Sequence, residues 1–115
     1  MIKKQEELKV TVTEKAKGGE GVFVNEHVLV GDEFFGKGRL YAKCKLAPGH
    51  SVGNHTHTGE MEVCYFLSGE GTVECDGVET KVKAGDVNLV NPGENHAVIN
   101  TGNEDLVYMA LILYA

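Results

Sequence analysis

The chain has 115 residues, room for one ordinary hydrophobic core and not for two. Its formal net charge is −6 and its lysines and arginines are scattered, so no basic surface attracts a phosphate backbone and nucleic acid is not an expected partner. The opening "MIKKQEELKV" runs from lysines into further charged residues, and the longest apolar run, "LVYMALILYA", is too short to span a bilayer, which argues against a signal peptide, an anchor or a membrane partner. The three cysteines, Cys44, Cys64 and Cys75, form no Cys-x-x-Cys pair, which predicts reduced thiols and a cytoplasmic location.

In chain order, a helical turn near Gln5 to Leu8 leads into "LKVTVTE" (8–14), where Leu8, Val10 and Val12 alternate with Lys9, Thr11 and Thr13 as in a strand with one buried face. Strand-like segments follow at 21–30, 38–46, 61–69, 71–77, 79–85, 86–91, 96–100 and 106–114. Between them fall 15 glycines, about twice the usual share. No window beyond the first turn carries a 3.6-residue apolar period, and there is no linker, repeat or low-complexity segment. Many short strands joined by tight turns predict an all-β sandwich or barrel occupying residues 1–115 as one domain.

The stretch "HTHTGEME" (55–62) holds two of the five histidines. In a strand, His55 and His57 point to one side and Thr56 to the other. Thr58 and Gly59 suit a turn, Glu60 falls within it, and Glu62 begins the returning strand, sharing a face with Cys64 and Phe66. Taken alone, His-x-His is a weak sign of a metal, and a pair of exposed polar strand residues is the more common reading. His96 follows the turn-like "NPGEN" and adds a third imidazole. Three imidazoles and a carboxylate suit one divalent transition metal, manganese, iron, cobalt, nickel or zinc, in preference to a thiolate-seeking ion. An octahedral ion would keep two positions free for water or substrate, as open sites do.

The spacing resembles that of the cupins. Their first motif is Gly, five residues, His-x-His, three or four residues, Glu, six residues, Gly, matched by Gly49, His55, His57, Glu62 and Gly69. Their second is Gly, five residues, Pro-x-Gly, two residues, His, three residues, Asn, matched by Gly85, Gly93, His96 and Asn100, with Asn91 where the family has proline. The motifs span 49–69 and 85–100. The resemblance implies a small jelly-roll β-barrel with His55, His57, Glu62 and His96 as metal ligands inside it. The stretch 59–87 is also similar to the single-domain cupins named after mannose-6-phosphate isomerase or oxalate decarboxylase, and neither reaction follows from that likeness.

Cys64 is either a group behind the ligands or a small core residue. Phe66 and Val98 are expected as apolar pocket walls. Arg39, Tyr41, Lys43 and Lys45 alternate with Leu40, Ala42, Cys44 and Leu46, so that one or more of them enters the pocket to bind a carboxylate, or all lie on a solvated face. His27 is a rim residue or an ordinary strand position, and His50 a solvated turn residue. Phe34 and Phe35 form a lid or pack in a core or dimer contact, with Glu33 beside them as a proton carrier. No catalytic residue is assigned. The function expected is that of a metalloenzyme, a decarboxylase, dioxygenase or isomerase, that binds a small carboxylate or keto acid at an open His3Glu metal centre, the alternative being a non-catalytic binding or sensor protein. Apolar residues on both faces of "LVYMALILY" predict a homodimer.

Overall fold

A computed structural model describes residues 1–115 as ten strands in two antiparallel sheets. The strands are β1 (Val10–Glu14), β2 (Val22–Leu29), β3 (Gly38–Leu46), β4 (Ser51–Thr56), β5 (Glu60–Ser68), β6 (Glu70–Cys75), β7 (Val78–Lys83), β8 (Val87–Val90), β9 (Asn95–Ile99) and β10 (Leu106–Tyr114). The larger sheet runs β1-β2-β3-β10-β5-β8 and the smaller β4-β9-β6-β7. This is the expected all-β jelly roll. Its sheets face each other without a continuous hydrogen-bonded circuit, so β1, β8, β4 and β7 are edges.

Two-residue alternation explains the core. Ala42, Cys44 and Leu46 on β3, Cys64 and Phe66 on β5, and Leu106, Tyr108 and Ala110 on β10 turn inward and meet Val52, Val73 and Val98 from the other sheet. Tyr108 packs between Phe66 and Phe23, at ring-centroid distances of 5.2 and 6.3 Å. The lone helical expectation is met by a 3₁₀ turn at Gln5–Glu7.

The first strand differs from its alternation pattern. Val10 and Val12 are 54% and 62% exposed, while Thr11 is half-buried. The cause is register: Thr11 lies opposite Asn25 and Thr13 opposite Phe23 on an edge strand whose inward face belongs to the threonines.

Turn chemistry positions the two motifs. Gly69 approaches the chain so closely that a Cβ would collide with the Asp105 carbonyl. Asn100 is a staple: its Nδ2 donates to the Leu46 and Glu104 carbonyls at 2.8 and 2.7 Å, and its Oδ1 accepts from Gly102 N–H. In the 91–94 turn, Pro92 precedes Gly93, whose φ is 89°, and Glu94 N–H donates to the Asn91 carbonyl at 3.0 Å, the signature of a type II turn. Asn91, in place of the family's proline, gives its N–H to Glu94 Oε1 at 2.7 Å, a bond proline lacks.

Candidate metal centre

Four chain segments converge between the sheets. His55 on β4 lies directly opposite His96 on β9 as a cross-strand partner. His57, one residue past β4, is clipped to the 91–94 turn: its N–H donates to the Glu94 carbonyl at 3.1 Å and its carbonyl accepts from Gly93 N–H at 2.7 Å. Glu62 enters from β5 in the facing sheet. One donor atom from each of His55, His57, Glu62 and His96 lies within 4.8 Å of all the others. His57, Glu62 and His96 are buried and His55 is half-buried.

Each imidazole has its Nδ1 engaged elsewhere. His55 Nδ1–H donates to the Gly53 carbonyl (2.7 Å), His57 Nδ1–H to Glu60 Oε1 (3.0 Å) and His96 Nδ1–H to Asn88 Oδ1 (2.7 Å). Since all three acceptors are oxygens, the protons sit on Nδ1 and every Nε2 keeps a lone pair. His57 Nε2 and His96 Nε2 stand 3.3 Å apart, and Glu62 Oε1 lies 3.2 and 2.8 Å from them. Lone pairs crowded in this way repel unless a cation lies among them, and orientation of ligating histidines by carboxylate, amide and carbonyl partners is what a metal centre requires. The donor set therefore fits a divalent ion.

Electrostatics agree. Burial opposes ionisation of Glu62, but positive charge among His96, His57 and His55, of the kind an ion held at their Nε2 atoms would supply, outweighs it and holds the carboxyl below its usual range. Burial pushes His55 down, with His96 and His57 adding to the effect against the Gly53 hydrogen bond, so this imidazole is neutral and free to coordinate.

Glu60, expected in the turn, is instead the first residue of β5 and is buried. It accepts two bonds from Arg39, Nε to Oε2 and Nη2 to Oε1, both 2.7 Å. Arg39 reaches it because a β-bulge leaves that residue unpaired between Gly38, opposite Leu113, and Leu40, opposite Ile112. The Arg39 bond, then that of His57, outweighs burial and holds the Glu60 carboxyl at about 2.

The cavity above the ligands holds about 370 Å³ and is lined by both sheets, with Lys17 and Arg39 as its cations. Val98 lines it; Phe66 and Cys64 lie in the core outside its lining, and burial keeps the Cys64 thiol protonated. Of the alternating β3 series only Arg39 reaches the cavity. Tyr41 is half-buried and outside the lining, because its backbone stays in register with Leu111 and Leu29. His27 is bonded to Thr11 Oγ1 at 2.9 Å, and His50 Nδ1 accepts Val22 N–H at 3.1 Å, which makes His50 a half-buried clamp instead of a solvated turn residue. Glu33 is tied to Lys3 Nζ at 2.5 Å and to Val30 N–H at 2.8 Å, outside the cavity lining. Phe34 is buried and Phe35 is 85% exposed, and neither lines the cavity. Sequence reasoning passed over Asn88 and Asn25. An asparagine on the inward, Val90-bearing face of β8 was the available sign for the first.

The cupin domain family model matches residues 42–112. The "Oxalate-binding protein" of Thermotoga maritima is 40% identical over 113 residues, covering 98% of this chain and 93% of that protein. A crystal structure described as a predicted oxalate decarboxylase from the same organism superimposes with a TM-score of 0.94 at 39% identity over 100% of both chains. The cupin domain of Schizosaccharomyces pombe Cnp3 shares the fold at 10% identity, with a TM-score of 0.74 over 91% of this chain and 69% of that one. With its family match covering more than half the sequence and a relative aligned along nearly all of it, the chain belongs to the cupin family.

Proposed function

We propose that the chain holds one divalent transition metal through His55, His57, Glu62 and His96 and captures there a small dicarboxylate of the oxalate class. The carrying observation is the convergence of three Nε2 lone pairs and one carboxylate oxygen, with every Nδ1 already committed. Four protein ligands leave an octahedral ion two positions, which a ligand with two adjacent oxygens fills as a chelate. A divalent ion beside ionised Glu62 keeps a charge of about +1 in a partly apolar cavity. Arg39 is neutralised by Glu60, and Lys17 adds a positive group to the lining, so anions are favoured. The Thermotoga maritima relative's description as an oxalate-binding protein supports this ligand class.

Capture is favoured over turnover. Glu60, the cavity's neighbouring carboxyl, is committed to Arg39 and His57 and stays ionised, which makes it a poor proton donor. The likeness to a predicted oxalate decarboxylase supports a second reading, a decarboxylase in which the bound metal supplies Lewis acidity to the coordinated oxygens. The free thiols of Cys44, Cys64 and Cys75 suit a reducing compartment such as the cytoplasm. A homodimer would cover the outer face of the larger sheet, where Tyr65, Leu67, Val87 and Leu89 are exposed.

Metal analysis and thermal shift test the proposal together. Purified protein is expected to carry about one metal per chain, and His96→Ala to fold with much lower content. Oxalate is expected to raise the melting temperature of metal-loaded protein only, and acetate to do so far less. Undiminished metal in His96→Ala, or equal oxalate shifts with and without metal, would overturn it; turnover of oxalate would establish the second reading.

A further inference from the structure

Asn25 Oδ1 is the chain's one fully buried side-chain oxygen or nitrogen without a hydrogen-bond partner. Such an atom is a standing cost in a folded protein, and an apolar residue of similar volume would avoid it. Asn25 occupies the inward face of β2, where its cross-strand partner Cys44 and the adjacent Tyr108 belong to the core. The same residue lines the cavity that contains His55, His57, Glu62 and His96. It projects from the larger sheet, whereas β4 and β9, which carry His55 and His96, belong to the facing one. With Oδ1 sequestered, the end of the amide left for the cavity is Nδ2, a donor.

The geometry points to Asn25 as a specificity-determining residue that donates its Nδ2–H to an oxygen of the bound dicarboxylate not used in chelation. This deepens the metal-and-dicarboxylate reading and rests on it. An oxalate-like ligand bound through one oxygen of each carboxylate keeps two outward oxygens, both pure acceptors, and a neutral donor on the opposite wall meets them without the competition that a second carboxylate would bring. Acetate that chelates through its only two oxygens turns a methyl group outward and offers no such acceptor. The amide therefore separates the two ligand types through a contact that only the larger one makes, and the orphaned Oδ1 is the stability given up to keep the donor facing the cavity.

Titration calorimetry of manganese-loaded protein with oxalate and with acetate, in wild type, Asn25→Leu and Asn25→Asp, tests the assignment. Leucine, which keeps the branched shape and removes the donor, is expected to weaken oxalate binding about tenfold or more. Aspartate, which replaces a donor by a like charge, should weaken it further. In Asn25→Leu, metal content and acetate binding should stay within twofold, and the ligand-free variant should melt at or above the wild-type temperature, since the orphaned oxygen is gone. Oxalate affinity within twofold of wild type in Asn25→Leu overturns the role of Asn25 and leaves the metal reading standing. Failure of wild-type metal-loaded protein to bind oxalate overturns both. Lowered melting or metal content in both variants would show Asn25 holding the fold, and would also overturn the assignment.

Discussion

Arg39 and Glu60 form a two-pronged ion pair, 2.7 Å at each prong, and the oxygen that accepts from Arg39 Nη2 also accepts from His57 Nδ1. A residue at the cavity wall thereby fixes, through one carboxylate, the tautomer and orientation of an imidazole in the four-residue cluster. Glu60→Ala should loosen His57 and weaken metal binding by about 10–100-fold. Competition with a chromophoric chelator reads this directly. Unchanged affinity would mean that His57 is held by its backbone clips to Glu94 and Gly93 alone.

The same pair sets an acid limit. The Glu60 carboxyl is held at about 2, below its ordinary 4.5, chiefly by the Arg39 hydrogen bond. A folded-state value below the unfolded one contributes stability that is complete above about pH 4.5 and disappears as pH falls towards 2. Urea unfolding of metal-free protein between pH 6 and pH 2.5 should show that loss, with a shallower slope in Arg39→Ala. Parallel profiles for the two proteins would count against the ion pair as its source.

Asn100→Ala should be among the most damaging single changes. It leaves the Leu46 and Glu104 carbonyls without a buried donor and removes the acceptor for Gly102, costing about 2–4 kcal/mol. Chemical denaturation measures it. A loss below about 1 kcal/mol would show that water replaces the amide.

Asn91→Pro, which restores the family's residue, should destabilise this chain by about 1 kcal/mol, because Glu94 Oε1 loses the Asn91 N–H it accepts at 2.7 Å. Thermal unfolding of the variant checks the sign, and a gain in melting temperature would make the ring's rigidity the larger effect.

The outer face of the larger sheet is expected to be a subunit interface. Light scattering should give about twice 12.4 kDa for the wild type and about 12.4 kDa for a Tyr65→Glu, Leu89→Glu double variant. Tyr65 and Leu89 are 48% and 50% exposed, so the charges should leave the isolated fold intact. A monomeric wild type at micromolar concentration would remove the interface.

The strand pattern was legible in the sequence because it is written in a local period, and the four-residue cluster was legible through its likeness to a family motif. Two-residue alternation places Leu106, Tyr108 and Ala110 inward, and the spacing of His55, His57, Glu62 and His96 matches a family motif that the fold brings within 4.8 Å. Residues joined by register or by distant pairing were decided only by tertiary structure. Arg39 reads as one more member of an exposed alternating series, and a bulge opposite Leu113 and Ile112 turns it into the cavity lining. Glu60 reads as part of a turn until it pairs with Tyr114 as the first residue of β5. Val10 and Val12 carry the pattern of a buried face, yet β1 pairs with β2 in the register that turns Thr11 and Thr13 inward. Asn25 and Asn88 sit in unremarkable strands, and their meaning comes from what the opposite sheet presents to them. Alternation dictates which residues share a face; which face meets which partner depends on contacts far apart in sequence, and no local period encodes those.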